Sequence, residues 1–203
     1  MKVHHLTGAA PLYTNSFVVI SEQGSAVIID PICPLRAYRA VLEQTGAALK
    51  LILCTHGHFD HVGTAEKLRR EYNVPVRCGE GDFRGDRLYP LTAVDGTYTD
   101  GEEIHVDELT FRVITTPGHT LGGVCLLCGD HFFTGDTLFC GDTGRTDLPG
   151  GSHETMVRTM RKLQALRLPA DTKVLPGHDI FTTYGEQMLY NEFIRAYCPA
   201  EEA

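Results

Sequence analysis

Six consecutive residues carry most of the chemistry in this sequence: His56-Gly57-His58-Phe59-Asp60-His61. Imidazole and carboxylate side chains are the ligand types of zinc, iron and manganese sites. His56 and His58 are two apart, and Gly57 gives the backbone the freedom to aim both rings at one point. Asp60 and His61 are neighbours, so their side chains diverge. Four ligands in so short a run cannot all reach one ion without severe strain, whereas two ions a few ångströms apart fit that geometry. One would take His56 and His58, the other Asp60 and His61. His119 and His178 can add one nitrogen each, and Asp136 can bridge through its two oxygens. Surface histidines in loops are the plain alternative. That alternative suits a lone histidine better than a His-x-His-x-Asp-His run directly after an apolar strand.

These residues share a position relative to the elements around them. AVIID ends on Asp30, LILCT runs into His56, FRVITTPG delivers His119, HFFTGD delivers Asp136 and KVLPG delivers His178. Ligands of α/β proteins bind in the crevice at strand C-termini. Branched apolar runs predict strands at 17–20, 26–29, 49–54, 109–114, 124–127, 131–134 and 173–175, with hairpin turns at Gly24 and Gly129-Asp130. Apolar spacing predicts helices at 35–44, 62–72 and 156–166, the last after an N-cap at Ser152. A final helix at 184–197 opens on Thr183 and Glu186 at capping-box spacing. Strands followed by a helix, twice, imply an α/β chain: an αββα sandwich of two similar halves, with two mixed sheets and helices on the outer faces.

Composition bounds the rest. The chain has 203 residues, 42% hydrophobic and 22% charged, which is ordinary for one globular domain spanning 1–203. Its net charge of −8 argues against nucleic acid or an anionic membrane surface as partner. Seven cysteines at irregular spacing do not make a disulfide framework, and no signal peptide or membrane span is legible, so a cytoplasmic location is expected. Cys125 and Cys128 are spelled like a metal pair, but residues three apart in a strand face opposite sides, so both are read as core. His4, His5, His105, His131 and His153 are assigned no ligand role, with His4 and His5 placed in a first strand, one ring in and one out.

At THGHFDH, TPGHT, TGDTLF and PGH the chain resembles the metallo-β-lactamase-fold metallohydrolases over nearly its whole length. THGHFDHVG, TPGHTLGG, FTGDTLFCGDTGRTDLPGG and LPGHDIFTTYGE are similar to the glyoxalase II-like branch, the hydroxyacylglutathione hydrolases. The resemblance implies that His56, His58 and His119 hold one metal, that Asp60, His61 and His178 hold the second, and that Asp136 bridges both with a water or hydroxide. Asp30 would fix a ligand imidazole by accepting its outer N–H, and Thr55 would assist, a plain strand-end threonine being the alternative. Arg145 would hold a substrate carboxylate; a loop pair with Asp142 or Asp147 is the alternative. Two departures stand out. The chain runs only 25 residues past His178, enough for a helix and a tail but not for the C-terminal helical domain that binds glutathione. Asn191-Glu192 replaces an Asn-Pro, a change expected to affect packing only.

The implied activity is hydrolysis of a thioester such as an S-2-hydroxyacylglutathione by a metal-bridging hydroxide, with Asp60 and Asp136 as catalytic carboxylates. Zinc is the first expectation for the two divalent ions, with iron or manganese next. Their charge outweighs that of Asp60, Asp136 and a hydroxide, which favours a small anionic substrate. The alternatives are a mononuclear-iron persulfide dioxygenase using His56, His119 and Asp136, a hydrolase of another ester or thioester, and a non-catalytic metal-binding module.

Overall fold

The apolar strand segments form two sheets in the computed structural model, which describes residues 1–198. The first sheet runs in chain order: β1 (Lys2–Thr7), β2 (Asn15–Ile20), β3 (Ser25–Ile29), β4 (Ala48–Leu53) and β5 (Val76–Arg77). Helix α1 (Leu35–Thr45) joins β3 to β4; α2 (Phe59–Val62) and α3 (Ala65–Tyr72) join β4 to β5. The second sheet comprises β6 (Glu103–Val106), β7 (Leu109–Thr115), β8 (Val124–Cys128), β9 (His131–Gly135), β10 (Lys173–Pro176) and β11 (Thr182–Thr183), ordered β11-β10-β9-β8-β7-β6. Helices α4 (His153–Ala165), α5 (Tyr184–Tyr190) and α6 (Glu192–Tyr197) belong to this half.

Strand alternation explains the layering. Phe17, Val19, Val27, Ile29 and Leu53 point between the sheets, where they meet Phe111, Val113, Leu126 and Phe133. Their neighbours Val18, Ile28 and Ile52 point the other way, onto Tyr38 and Leu42 of α1 and Leu68 of α3. On the far side Ile114, Cys125, Phe132 and Val174 pack against Met156, Met160 and Leu163 of α4 and Ile194 of α6. Three stacked cores make four layers, the expected αββα sandwich. Cys125 and Cys128 fall in different cores, and burial pushes their thiols up to about 12 and about 11.

Strand direction decides where the site lies. β3, β4 and β5 run parallel, and so do β9 and β10. β7 pairs antiparallel with β8, which pairs antiparallel with β9, so β7 shares the direction of β9. The C-terminal ends that deliver Asp30, His56, His119, Asp136 and His178 therefore open onto one edge of the sandwich. Backbone bonds tie the sheets there: the Val124 amide donates to the Thr55 carbonyl at 2.8 Å, and the Asn15 amide to the Gly177 carbonyl at 2.7 Å.

Two expected helices are divided. The helix expected at 62–72 is two pieces, α2 and α3, because Gly63 and Thr64 turn the chain and the Thr64 amide bonds to the Pro31 carbonyl outside the helix. The helix expected at 184–197 breaks at Asn191, whose extended ψ of 122° ends α5 and starts α6. The Asn191 side chain caps α6 by accepting from the Ile194 amide, and it donates to the carbonyls of Asp142 and Phe139. Its role is thus wider than packing: it pins the loop that follows Asp136. The capping box at Thr183 and Glu186 and the N-cap at Ser152 form as expected.

Candidate metal centre

The seven expected ligand residues converge. Ligand atoms of His56, His58 and His119 lie within 4.8 Å of one another, as do those of His56, His61 and Asp136, and those of Asp60, His61 and His178. Asp136 sits between the groups. Its Oδ1 is 3.3 Å from His61 Nε2, and its Oδ2 is 3.4 Å from His119 Nε2 and 3.5 Å from His178 Nε2. Asp60 Oδ2 is 3.3 Å from His178 Nε2.

Four of the five rings are fixed from behind. His61 Nδ1 donates to Asp30 Oδ2 at 3.0 Å, His119 Nδ1 to the Arg145 carbonyl at 2.7 Å, and His178 Nδ1 to the Leu12 carbonyl at 2.9 Å. Thr55 Oγ1 gives its proton to Asp30 at 2.6 Å, so it accepts from His56 Nδ1 at 3.2 Å. Outward N–H groups leave the Nε2 lone pairs of these four rings facing inward, the arrangement of metal-bound imidazoles. His61 Nε2 and His178 Nε2 then face each other at 3.3 Å. His56 Nε2, His58 Nε2 and Asp136 Oδ1 are buried without a hydrogen-bond partner. Buried polar atoms are nearly always paired. His58 turns its Nδ1 to His119 Nε2 at 2.9 Å, so a cation held among the inward-facing atoms satisfies His56 Nε2 and Asp136 Oδ1, and the residues present fit a metal.

Charge follows the same division. Burial, joined by the neighbouring rings, lowers His56 well below the usual imidazole range and His58 to about 4. Burial pulls His61 the same way, but Asp136 and Asp30 outweigh it and hold His61 well above that range. In His178, burial is likewise outweighed, by Asp60 and Asp136, and the pKa rises. Asp136 is held well below the carboxylate range because His61, His56 and His119 overcome its burial.

Asp30 adopts the left-handed region at φ 49°, where Asp is tolerated better than most residues. That turn swings its carboxylate back to the Thr55 amide, the Thr55 hydroxyl and His61. Arg145 lines the cleft and contributes its carbonyl to His119, while its guanidinium forks the Asp147 carboxylate at 2.6 and 2.7 Å. His105, His131 and His153 lie outside all three ligand groups, as do His4 and His5 of β1, where His5 stacks on Phe17.

Two positioning residues escaped the sequence reading. Asp82 is fully buried and accepts from the Gly57 amide at 3.2 Å, the Thr120 hydroxyl at 2.6 Å and the Gly122 amide at 3.0 Å. It thereby joins the His56–His58 turn to the His119 loop. The backbone of Asp82 also explains Gly57: a Cβ there would meet the Asp82 carbonyl oxygen at 1.8 Å. Gly57 is needed for this close approach, since it does not adopt a positive φ. Asn15 donates from Nδ2 to the carbonyls of Pro176 and Asp179, both at 3.0 Å, and so brackets His178. Neither residue stands in a motif. The signal for Asp82 was only an acidic residue in a glycine-rich stretch, and for Asn15 a polar residue at the start of an apolar strand.

Residues 9–178 match the Metallo-beta-lactamase superfamily. A probable polyketide biosynthesis zinc-dependent hydrolase, BaeB of Bacillus velezensis, is 32% identical over 191 residues, covering 92% of this chain and 83% of that protein. The hydroxyacylglutathione hydrolase GloC of Haemophilus influenzae is 32% identical over 198 residues, covering 90% of this chain and 93% of that one. The crystal structure of TTHA1623 in a di-iron-bound form superposes with a TM-score of 0.78 at 32% identity, covering 94% of this chain and 99% of that one.

Proposed function

The chain belongs to the metallo-β-lactamase superfamily, and we propose that within it the protein is a binuclear metal-dependent thioester hydrolase. The observation that carries the reading is the pair of ligand groups sharing Asp136, with His56 Nε2 and Asp136 Oδ1 buried and unpaired. His56, His58 and His119 would hold one ion, Asp60, His61 and His178 the other, and Asp136 would touch both. Two such ions would supply Lewis acidity and would lower the pKa of a bound water to roughly 7.

The chain's own residues do the rest. Asp30, Thr55 and the carbonyls of Leu12 and Arg145 hold the imidazole protons on the outer nitrogens, so the inner nitrogens stay available as donors. The low pKa of Asp136 keeps it anionic at neutral pH. The titratable groups lining the cleft are the ligands themselves and Arg145. A thiolate, whose conjugate acid has a pKa near about 8.5, departs without a strong general acid. An alkoxide or an amide anion is a poorer leaving group.

The likeness to a hydroxyacylglutathione hydrolase supports a small anionic thioester as substrate, with Arg145 released from Asp147 as a carboxylate partner. The likeness to a zinc-dependent hydrolase supports zinc, and the di-iron neighbour keeps iron beside it. Unpaired thiols at all seven cysteines accord with a reducing cytoplasm. Among the described residues no helix is long and apolar enough to cross a membrane.

The test is hydrolysis of lactoylglutathione beside acyl-coenzyme A thioesters by the metal-loaded chain and by Asp136→Ala. Turnover of a thioester, at least a thousandfold lower in the variant, is expected. Absence of turnover on every thioester at full metal occupancy would instead favour a binding module.

A further inference from the structure

The walls above the ligand atoms are hydrocarbon. Leu12, Phe59, Leu88, Phe139 and Leu148 line a cleft of about 470 Å³ over His58, Asp60, His119, Asp136 and His178. Phe59 and Leu88 also line an adjoining hollow of about 390 Å³, whose remaining wall residue is Arg87. Leu12 and Phe59 are 44% and 47% exposed, so large apolar side chains stand in water beside the reacting centre. Water leaves such surface at a gain when an apolar group covers it.

These walls are held in place. The Phe59 amide donates to the Leu88 carbonyl at 2.9 Å, which joins the two residues shared by cleft and hollow. Leu88 sits on a turn closed by Asp86, whose Oδ1 accepts from the Leu88 and Tyr89 amides at 2.8 and 2.7 Å. Tyr89 is buried beneath, against His58, with its hydroxyl donating to the Pro149 carbonyl at 2.7 Å. Leu12 is tethered through the bond its carbonyl receives from His178. The polar complement is meagre: the Arg145 guanidinium is already forked by Asp147. A two-carbon or hydroxylated acyl group would leave the walls wet.

Resting on the thioester-hydrolase reading, we propose that the preferred substrate carries a hydrocarbon chain beside the scissile carbonyl, laid over Phe59 and Leu88. Arg87 gives the adjoining hollow its positive charge and suits an anionic group further along the same molecule.

The experiment measures kcat/KM of the metal-loaded full chain on acetyl-, butyryl-, hexanoyl- and lactoyl-glutathione. Calorimetry follows binding of S-methyl- and S-hexylglutathione, which needs no turnover. The expected result is a rise of about fourfold per methylene from acetyl to hexanoyl, with hexanoylglutathione above lactoylglutathione. Phe59→Ser/Leu88→Ser, or Phe59→Ser alone if the double variant does not fold, should cut the hexanoyl-to-acetyl ratio at least threefold. Equal rates for acetyl and hexanoyl, or a ratio unmoved by the substitutions, overturn the apolar preference and leave thioester hydrolysis standing. If no thioester turns over, the hydrolase reading fails and calorimetry decides the wall separately. S-hexylglutathione binding at least tenfold tighter than S-methylglutathione upholds it, and equal affinities overturn it.

Discussion

Replacing Asp82 by alanine should damage the metal centre without touching a ligand. Its carboxylate receives three hydrogen bonds, from Gly57, Thr120 and Gly122. Hydrogen bonds to a charged group are worth about 1.5–3 kcal/mol each, so the three sum to about 5 kcal/mol at the low end. Burying the carboxylate costs part of this back, and that cost is visible in its raised pKa. The net loss on Asp82→Ala is expected to be about 3 kcal/mol, in the range for breaking a buried polar network. Urea unfolding of the metal-free chain reads this directly. The same loss frees the His56–His58 turn from the His119 loop, so the affinity for the ion held there should fall roughly tenfold to a hundredfold. Competition with a chromophoric chelator measures it. Asp82→Asn keeps the shape and one acceptor oxygen, and should fall between. The raised pKa adds a sign: between the unfolded value of 3.8 and the folded one, the native chain binds more protons than the unfolded chain. Wild-type stability relative to Asp82→Asn is therefore fully present below that window and declines as pH rises through it. An Asp82→Ala variant within 1 kcal/mol of wild type, with metal affinity unchanged within twofold, would refute this reasoning.

Further outcomes follow from the same geometry. Asp30→Asn weakens the hold on His61 Nδ1 and should lower affinity at the Asp60–His61–His178 group roughly tenfold or more, while sparing the His56–His58–His119 group; chelator titration resolving two classes of ion checks it. On acidification, ions should leave the Asp60–His61–His178 group first, because His61 and His178 have raised pKa values and take up protons at higher pH than His56 and His58, whose values are lowered. Metal content after dialysis at stepped pH reads that order, and simultaneous loss would contradict it. Asn191→Ala removes the α6 cap and the clamp on the Asp142 carbonyl, and should cost about 2 kcal/mol in thermal unfolding.

The convergence of the seven candidate ligand residues was legible because metal chemistry restricts residue types and because these residues follow apolar strands, as with Asp136 directly after β9. The layers were legible because alternation in β2, β3 and β4 buries both faces. What escaped was tertiary. Asp82 acts through amides 25 and 40 residues away, and nothing local in its sequence marks it. Two-residue β5 and β11 are held by their neighbours rather than by pattern. The breaks at Gly63 and Asn191 arise because the chain must turn to bond Pro31 and the 139–142 loop, against an apolar period that reads as continuous. Arg145 was singled out for its guanidinium; the contact of its carbonyl with His119 is a backbone feature that no residue type signals.

The central claim is two metal ions per chain serving one hydrolytic site. Metal analysis of the reconstituted full chain, with thioester hydrolysis and oxygen uptake followed on the same sample, tests it most directly. The account predicts two divalent ions per chain, thioester hydrolysis that disappears when they are removed, and no oxygen consumption. One iron per chain, with oxygen consumed on glutathione persulfide and no thioester cleaved, would contradict it.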